Sequence, residues 1–253
     1  MVNTAKRGHT LLQSGRKSAM KRLLIVVDYQ NDFVDGALGF EGAELLDERI
    51  AKKIDEYRDA ADHIAFTYDT HHKDYLETLE GVNLPIPHCI EGTDGHELYG
   101  QVATRLHDSD DVFLKPTFGS TALFERLMKR QAVAERIGAA PFESIELVGL
   151  VSNMCVLSNA VIARTACPNV PIIVDAACTA APDPIMNEKA FDIMEGLQIR
   201  VINRDQATQV EEADEAEESG EVEEAEADDL ASEVEEPEAD EPASEVEMSE
   251  LAE

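Results

Sequence analysis

Cys155 is the residue with the clearest capacity for chemistry, because of what surrounds it. The run Glu146-Leu147-Val148-Gly149-Leu150-Val151-Ser152-Asn153-Met154-Cys155-Val156 reads as strand, tight turn, thiol and helix. Leu147 to Val151 has the length and branching of a strand buried on both faces, and Gly149 permits close backbone approach. Ser152 and Asn153 are turn and cap types, and Val156, Asn159, Ala160, Ile162 and Ala163 then follow at helical spacing. A thiol opening a helix meets the positive end of the dipole and unpaired N–H groups. Both are expected to lower its pKa and to hold an oxyanion. From this stretch alone, a small space-filling cysteine is the competing reading.

A nucleophilic thiol also needs a base and a cation. Asp28 ends the apolar run Leu23-Leu24-Ile25-Val26-Val27, and Lys115 ends Val112-Phe113-Leu114, where Pro116 forces the lysine into an extended conformation. Singly, Asp28 reads equally well as a turn cap and Lys115 as a surface cation. A second group, Asp69, His71 and His88, mixes carboxylate and imidazole, a donor set suited to Zn²⁺, Fe²⁺ or Mn²⁺ that leaves positions open for water or substrate. Loop histidines, His72 among them, are also commonly just exposed.

The elements that must position these groups alternate. Strands are expected at 22–28, 63–68, 112–114, 144–151, 170–174 (ending at Asp175) and 199–202, with helices at 43–61, 121–134, 155–165 and 187–196. Residues 73–110 show no strong period and contain Pro85 and Pro87, an irregular excursion of the kind that usually carries function. The alternation implies an open, mostly parallel α/β sheet with right-handed crossovers and helices on both faces. Ligands of such sheets bind beyond the carboxyl ends of the strands, where Asp28, Asp69, Lys115 and Cys155 would all emerge.

The net charge is −32, from 53 acidic against 21 basic residues among 253, but 22 of the acids lie in 211–253, a stretch without Lys, Arg or aromatics. Residues 206–253 are therefore expected to form a disordered acidic tail, a solvating extension or a docking segment for a basic partner. Residues 1–20 carry Lys6, Arg7, Arg16 and Lys17 without an acid or a periodic apolar face, and read as an extension lacking a secretory core. One α/β domain is expected over 21–205. No stretch approaches membrane-spanning length, and the four cysteines lack the density of a disulfide scaffold. A cytoplasmic location with reduced thiols is expected, with no nucleic-acid or membrane partner.

Together these motifs resemble the isochorismatase-like cysteine hydrolases, and within them the nicotinamidase/pyrazinamidase branch. The resemblance runs from about Arg22 to Arg204. It rests on Val27-Asp28-Tyr29-Gln30-Asn31-Asp32-Phe33, Asp69-Thr70-His71, Pro87-His88-Cys89-Ile90-Glu91-Gly92-Thr93, Lys115-Pro116 and Gly149-Leu150-Val151-Ser152-Asn153-Met154-Cys155-Val156. It implies an isochorismatase-like, Rossmann-like three-layer fold, a catalytic triad of Asp28, Lys115 and Cys155, and a divalent metal, zinc foremost, held by Asp69, His71 and His88. Glu80 is the implied further ligand, with Glu77 the weaker candidate. It also implies a cis peptide at Leu150-Val151 that aims the Val151 and Cys155 N–H groups at an oxyanion. The chain has no tryptophan, which many members use in the pocket, so Phe33 is expected to be the main aromatic wall. Cys89, Cys167 and Cys178 match no catalytic position. The implied activity is hydrolysis of a small amide, nicotinamide foremost, by a homo-oligomer. Another amide, ureide or carbamoyl substrate is the alternative within the family, and a catalytically silent scaffold with a recruiting tail is the alternative outside it.

Overall fold

A computed structural model describes residues 21–207. The expectations for residues 1–20 and for the acidic tail beyond Ala207 lie outside the described residues. Six strands, β1 (Leu23–Val27), β2 (His63–Asp69), β3 (Asp111–Lys115), β4 (Ile145–Leu150), β5 (Ile172–Ala180) and β6 (Arg200–Ile202), form one sheet in the order β3-β2-β1-β4-β5-β6. All five pairings are parallel. The strand order reverses direction between β1 and β4, the point at which open α/β sheets leave a crevice.

The buried runs explain the layering. All five residues of β1 and all six of β4 are buried, so each strand presents apolar side chains to both faces. On one face Leu24, Val26, Phe66, Val148 and Leu150 pack against Ile50, Ile54 and Tyr57 of α2 (Leu46–Asp59). On the other, Leu23, Ile25, Val27 and Leu147 meet Leu123 and Leu127 of α5 (Thr121–Arg136), Ala160 and Ala163 of α6 (Leu157–Ala166) and Met194 of α7 (Pro184–Gly196). Each fully buried Leu, Ile or Val contributes about 1.5–3 kcal/mol, so two such layers dominate the stability of the domain.

Departures from the sequence expectation have local causes. β5 does not end at Asp175: that carboxylate is buried against Lys53 Nζ at 2.6 Å, and the strand continues to Ala180 through a register shift opposite Leu147 and Gly149. α7 starts at Pro184, not Asn187, because Asp183 caps it through the N–H groups of Ile185 and Met186. The excursion 73–110 contains single turns, among them α3 (Leu79–Asn83) and α4 (Gly100–Ala103), while α1 (Asn31–Val34) follows β1 directly. These are too short for periodicity to reveal. Among the described residues no helix is long and apolar enough to cross a membrane.

Candidate active site

Register places the first pair of groups. Asp69 and Lys115 are partners at the carboxyl ends of β2 and β3, while Val27, the residue before Asp28, pairs with both Thr67 and Gly149. The four strand ends therefore deliver Asp28, Asp69, Lys115 and, after one turn, Cys155 to a single point. There Lys115 Nζ lies 2.7 Å from Asp28 Oδ2, 3.1 Å from Asp69 Oδ1 and 3.5 Å from Cys155 Sγ. All four side chains are buried. One ammonium between two carboxylates and a sulfur offsets a desolvation cost that none of these charges could meet alone.

Asp28 occupies the left-handed region at φ 44°, uncommon for a residue with a Cβ. It is held there by its N–H donating to Thr67 O at 3.1 Å and by Thr67 Oγ1 donating to its Oδ1 at 2.7 Å. Burial, reinforced by the nearby Asp69 charge and opposed by Lys115, raises the Asp28 pKa above the usual aspartate value. A carboxylate so raised is a stronger base.

Cys155 does not open a regular α-helix as its sequence context suggests. It lies in a π-helical turn, Ser152–Val156, that leads into α6, with Val156 N–H donating to Val151 O at 3.2 Å. Ser152 makes no capping bond; its hydroxyl donates to Asn187 Oδ1. Asn159 fixes the turn: its Nδ2 donates to Cys155 O at 2.8 Å and to Phe118 O at 3.1 Å, and its Oδ1 accepts the Ser120 N–H at 3.0 Å. This tie between the thiol turn and the loop after Lys115 was not evident from residue types. The Leu150-Val151 peptide is cis. The expected lowering of the thiol pKa is corrected: burial and the Asp28 charge push Cys155 well up, against Lys115, which pulls it down. Cys89, Cys167 and Cys178 are buried free thiols, and burial raises the latter two to about 11 and about 12.

The second cluster adjoins the first through Asp69. Its Oδ1 faces Lys115, while Oδ2 lies 3.0 Å from His71 Nε2 and 3.3 Å from His88 Nε2. Glu80 Oε1 approaches the same imidazoles at 3.6 and 3.9 Å, and one donor atom from each of Asp69, His71, Glu80 and His88 falls within 4.8 Å of all the others. Burial opposes ionisation of Asp69, but the His71 and His88 hydrogen bonds and the Lys115 charge hold its carboxyl well below the usual range. His88 Nδ1 donates to Ile86 O at 2.9 Å, which fixes the ring and turns Nε2 toward the carboxylates. A nitrogen so turned needs a proton or a cation between it and Asp69, and two imidazoles with two carboxylates fit a divalent ion of the zinc, iron or manganese type. Tyr75 packs on both imidazoles, with ring centroids at 4.6 and 5.0 Å. Glu77 is outside the cluster, and His72 is exposed beside Glu91.

A groove of about 500 Å³ opens next to Glu80, lined by Thr78, Leu84, Pro116, Phe118 and Met154 among others. Its aromatic ring is Phe118. Phe33, expected to be the main wall, is buried and edge-on to His88 at 5.6 Å, and it does not line this groove.

Comparison with known proteins places this geometry in a family. An uncharacterized isochorismatase family protein, PncA, of Bacillus subtilis (strain 168) is 32% identical over 153 residues, 56% of this chain and 78% of the relative. The crystal structure of the nicotinamidase/pyrazinamidase PncA from Bacillus subtilis superposes with a TM-score of 0.61 at 27% identity, covering 72% of this chain and 99% of that one. The pyrazinamidase/nicotinamidase of Streptococcus mutans UA159 gives 0.60 at 26%, covering 72% and 100%. The isochorismatase domain model matches residues 22–206, the whole of the sheet with its six strands and the helices that cover it, and the chain belongs to the isochorismatase family of hydrolases.

Proposed function

We propose that this hydrolase is a cysteine amidohydrolase whose favoured substrate is nicotinamide, converted with water to nicotinic acid and ammonia. The observation that carries the reading is the buried Lys115 ammonium in contact with Asp28, Cys155 and Asp69 at once. Asp28 takes the proton from Cys155 Sγ, and the thiolate forms a bond to the carboxamide carbon. The Val151 and Cys155 N–H groups face the oxyanion of the tetrahedral adduct. Asp28 returns the proton to nitrogen, the C–N bond breaks, and ammonia departs from a thioester. Water, deprotonated by Asp28, then attacks that thioester and frees the acid and the thiol. Throughout, Lys115 neutralises whichever of its neighbours carries the charge.

Asp69, His71, Glu80 and His88 would hold the divalent ion, zinc in our reading, which supplies a Lewis-acidic anchor for the pyridine nitrogen and so orients the amide toward sulfur. The similarity to the Bacillus subtilis nicotinamidase/pyrazinamidase and the Streptococcus mutans pyrazinamidase/nicotinamidase supports the same substrate class. The open groove beside Phe118 and Met154, in a chain without tryptophan, favours a second reading: another small amide, ureide or carbamoyl compound.

Ammonia release from nicotinamide, pyrazinamide, benzamide and an N-carbamoyl amino acid by the zinc-loaded enzyme separates the two. The reading expects the two ring-nitrogen amides to be turned over and benzamide to be poor. Equal rates on benzamide, or a preference for the carbamoyl compound, would replace it with the broader one. His71→Ala is expected to raise KM for nicotinamide steeply while Cys155 remains open to alkylation, and a KM within twofold of wild type would contradict the anchoring role.

A further inference from the structure

The turn after β1 supplies the base Asp28, but Gln30 and Asp32, two and four residues further on, make contacts that the reaction does not use. Gln30 is fully buried. Its Oε1 accepts the Asp69 N–H at 2.8 Å, and its Nε2 donates to Asp69 O at 2.9 Å and to His96 O at 2.8 Å. One side-chain amide thus holds both backbone polar groups of Asp69.

Asp32 does the corresponding work on the other ligands. Its Oδ2 accepts the Cys89 N–H at 2.7 Å and its Oδ1 accepts the Ala37 N–H at 3.1 Å. Cys89 directly follows His88 and sits at φ 46°, a conformation that its surroundings must impose. The Cys89 carbonyl accepts the His71 N–H at 3.0 Å, and the His71 carbonyl in turn accepts the Glu91 N–H at 2.9 Å. One carboxylate therefore fixes the backbone beside His88 and, through it, that of His71. The space is shaped for that carboxylate: a Cβ on Gly95 would lie 2.1 Å from Asp32 Oδ2, and one on Gly36 2.5 Å from Oδ1.

We infer that Gln30 and Asp32 are positioning residues for the metal cluster, presetting Asp69, His71 and His88 from the same turn that carries the base. The inference rests on the reading that these residues bind a divalent ion. Its physical content is preorganisation: a ligand set already held in place loses less conformational freedom when the ion arrives. The two residues break differently. Gln30→Glu keeps shape but sets an acceptor against the Asp69 and His96 carbonyls. Asp32→Ala removes both bonds. Asp32→Asn can keep its acceptor toward Cys89 while turning a donor toward Ala37.

The experiment is titration of the metal-free full-length chain with cobalt(II), followed by its visible absorption, alongside the rate of Cys155 alkylation by iodoacetamide and the melting temperature. Gln30→Glu and Asp32→Ala are expected to bind cobalt about 10- to 100-fold more weakly, with altered band intensities. Asp32→Asn should fall between them and wild type. Asn31→Ala, next to Gln30 and Asp32 but with a side chain that donates to Asp94 O, should match wild type and serves as the control. Cys155 alkylation should stay within about twofold throughout, which separates ligand positioning from a general loss of structure. Unchanged cobalt affinity and spectrum in folded Gln30→Glu or Asp32→Asn would overturn the inference, as would an equal loss in Asn31→Ala. Absence of cobalt binding by the wild-type chain would instead overturn the metal reading itself.

Discussion

Lys115 contacts two carboxylates and a thiol within 3.5 Å while nearly excluded from water, so its removal leaves Asp28 as a buried charge with no cation beside it and strips Asp69 Oδ1 of its partner. Breaking such an arrangement costs about 3–5 kcal/mol. Lys115→Met is expected to lose stability on that scale in urea unfolding, and to slow alkylation of Cys155, because Lys115 is the group that pulls the thiol pKa down. Faster alkylation in that variant would contradict the assignment. The pH dependence follows from Asp28. It must be ionised to accept the thiol proton, and its pKa is raised from 3.8, so kcat/KM should fall as pH falls through a value above the ordinary aspartate range. A profile at saturating zinc that stays flat down to about pH 4 would remove Asp28 as the base. The convergence of Asp28, Lys115 and Cys155 was legible in sequence because Asp28 and Lys115 directly follow apolar runs and Cys155 lies one turn beyond a third. Gln30, Asp32 and Asn159 were not, because their partners are mainly backbone groups brought near only by folding. The direction of the Cys155 shift was misread for a related reason: helix position is visible in sequence, whereas the burial that outweighs it is not.

At the scale of elements, the site depends on β1 and β4 lying close enough for Asp28 to face the Cys155 turn. Gly149 sits at φ 109° opposite Val27, and a Cβ there would come within 2.0 Å of Val27 O. Gly149→Ala therefore combines an unfavourable backbone conformation with a backbone clash, and is expected to destabilise by about 3 kcal/mol or more. The check is urea unfolding, and a change below about 1 kcal/mol would show that the strand pair tolerates separation. Period and length revealed β1, β2, β4, α2 and α5 because their apolar faces are continuous. β5 was read short because Asp175 looks like a strand-ending acid when its buried partner Lys53, on α2, is distant in sequence. The Pro184 start of α7 was available in the Asp183-Pro184 pair, which carries both a cap and a first-turn proline. Phe118 was missed as the groove's aromatic because it lies in a loop with no periodic neighbours to orient it.

For the whole molecule, charge and catalysis are separable along the chain. The family match spans 22–206, whereas 22 of the 53 acidic residues lie in 211–253 without an aromatic anchor. Deletion of 211–253 is expected to leave nicotinamide turnover and the melting temperature nearly unchanged, since that segment has little apolar surface to bury. A fall of more than a few degrees would show that it packs on the domain. Covalent attack by Cys155 underlies the proposed reaction, and kcat/KM for nicotinamide measured on Cys155→Ala tests it most directly. The substitution removes one sulfur from a buried turn, so the fold should persist, with a melting temperature close to wild type. The predicted result is a loss of at least about a thousandfold in ammonia release, on the scale seen when a nucleophile is removed from a catalytic set. Activity within tenfold of wild type in a folded Cys155→Ala enzyme would contradict the account.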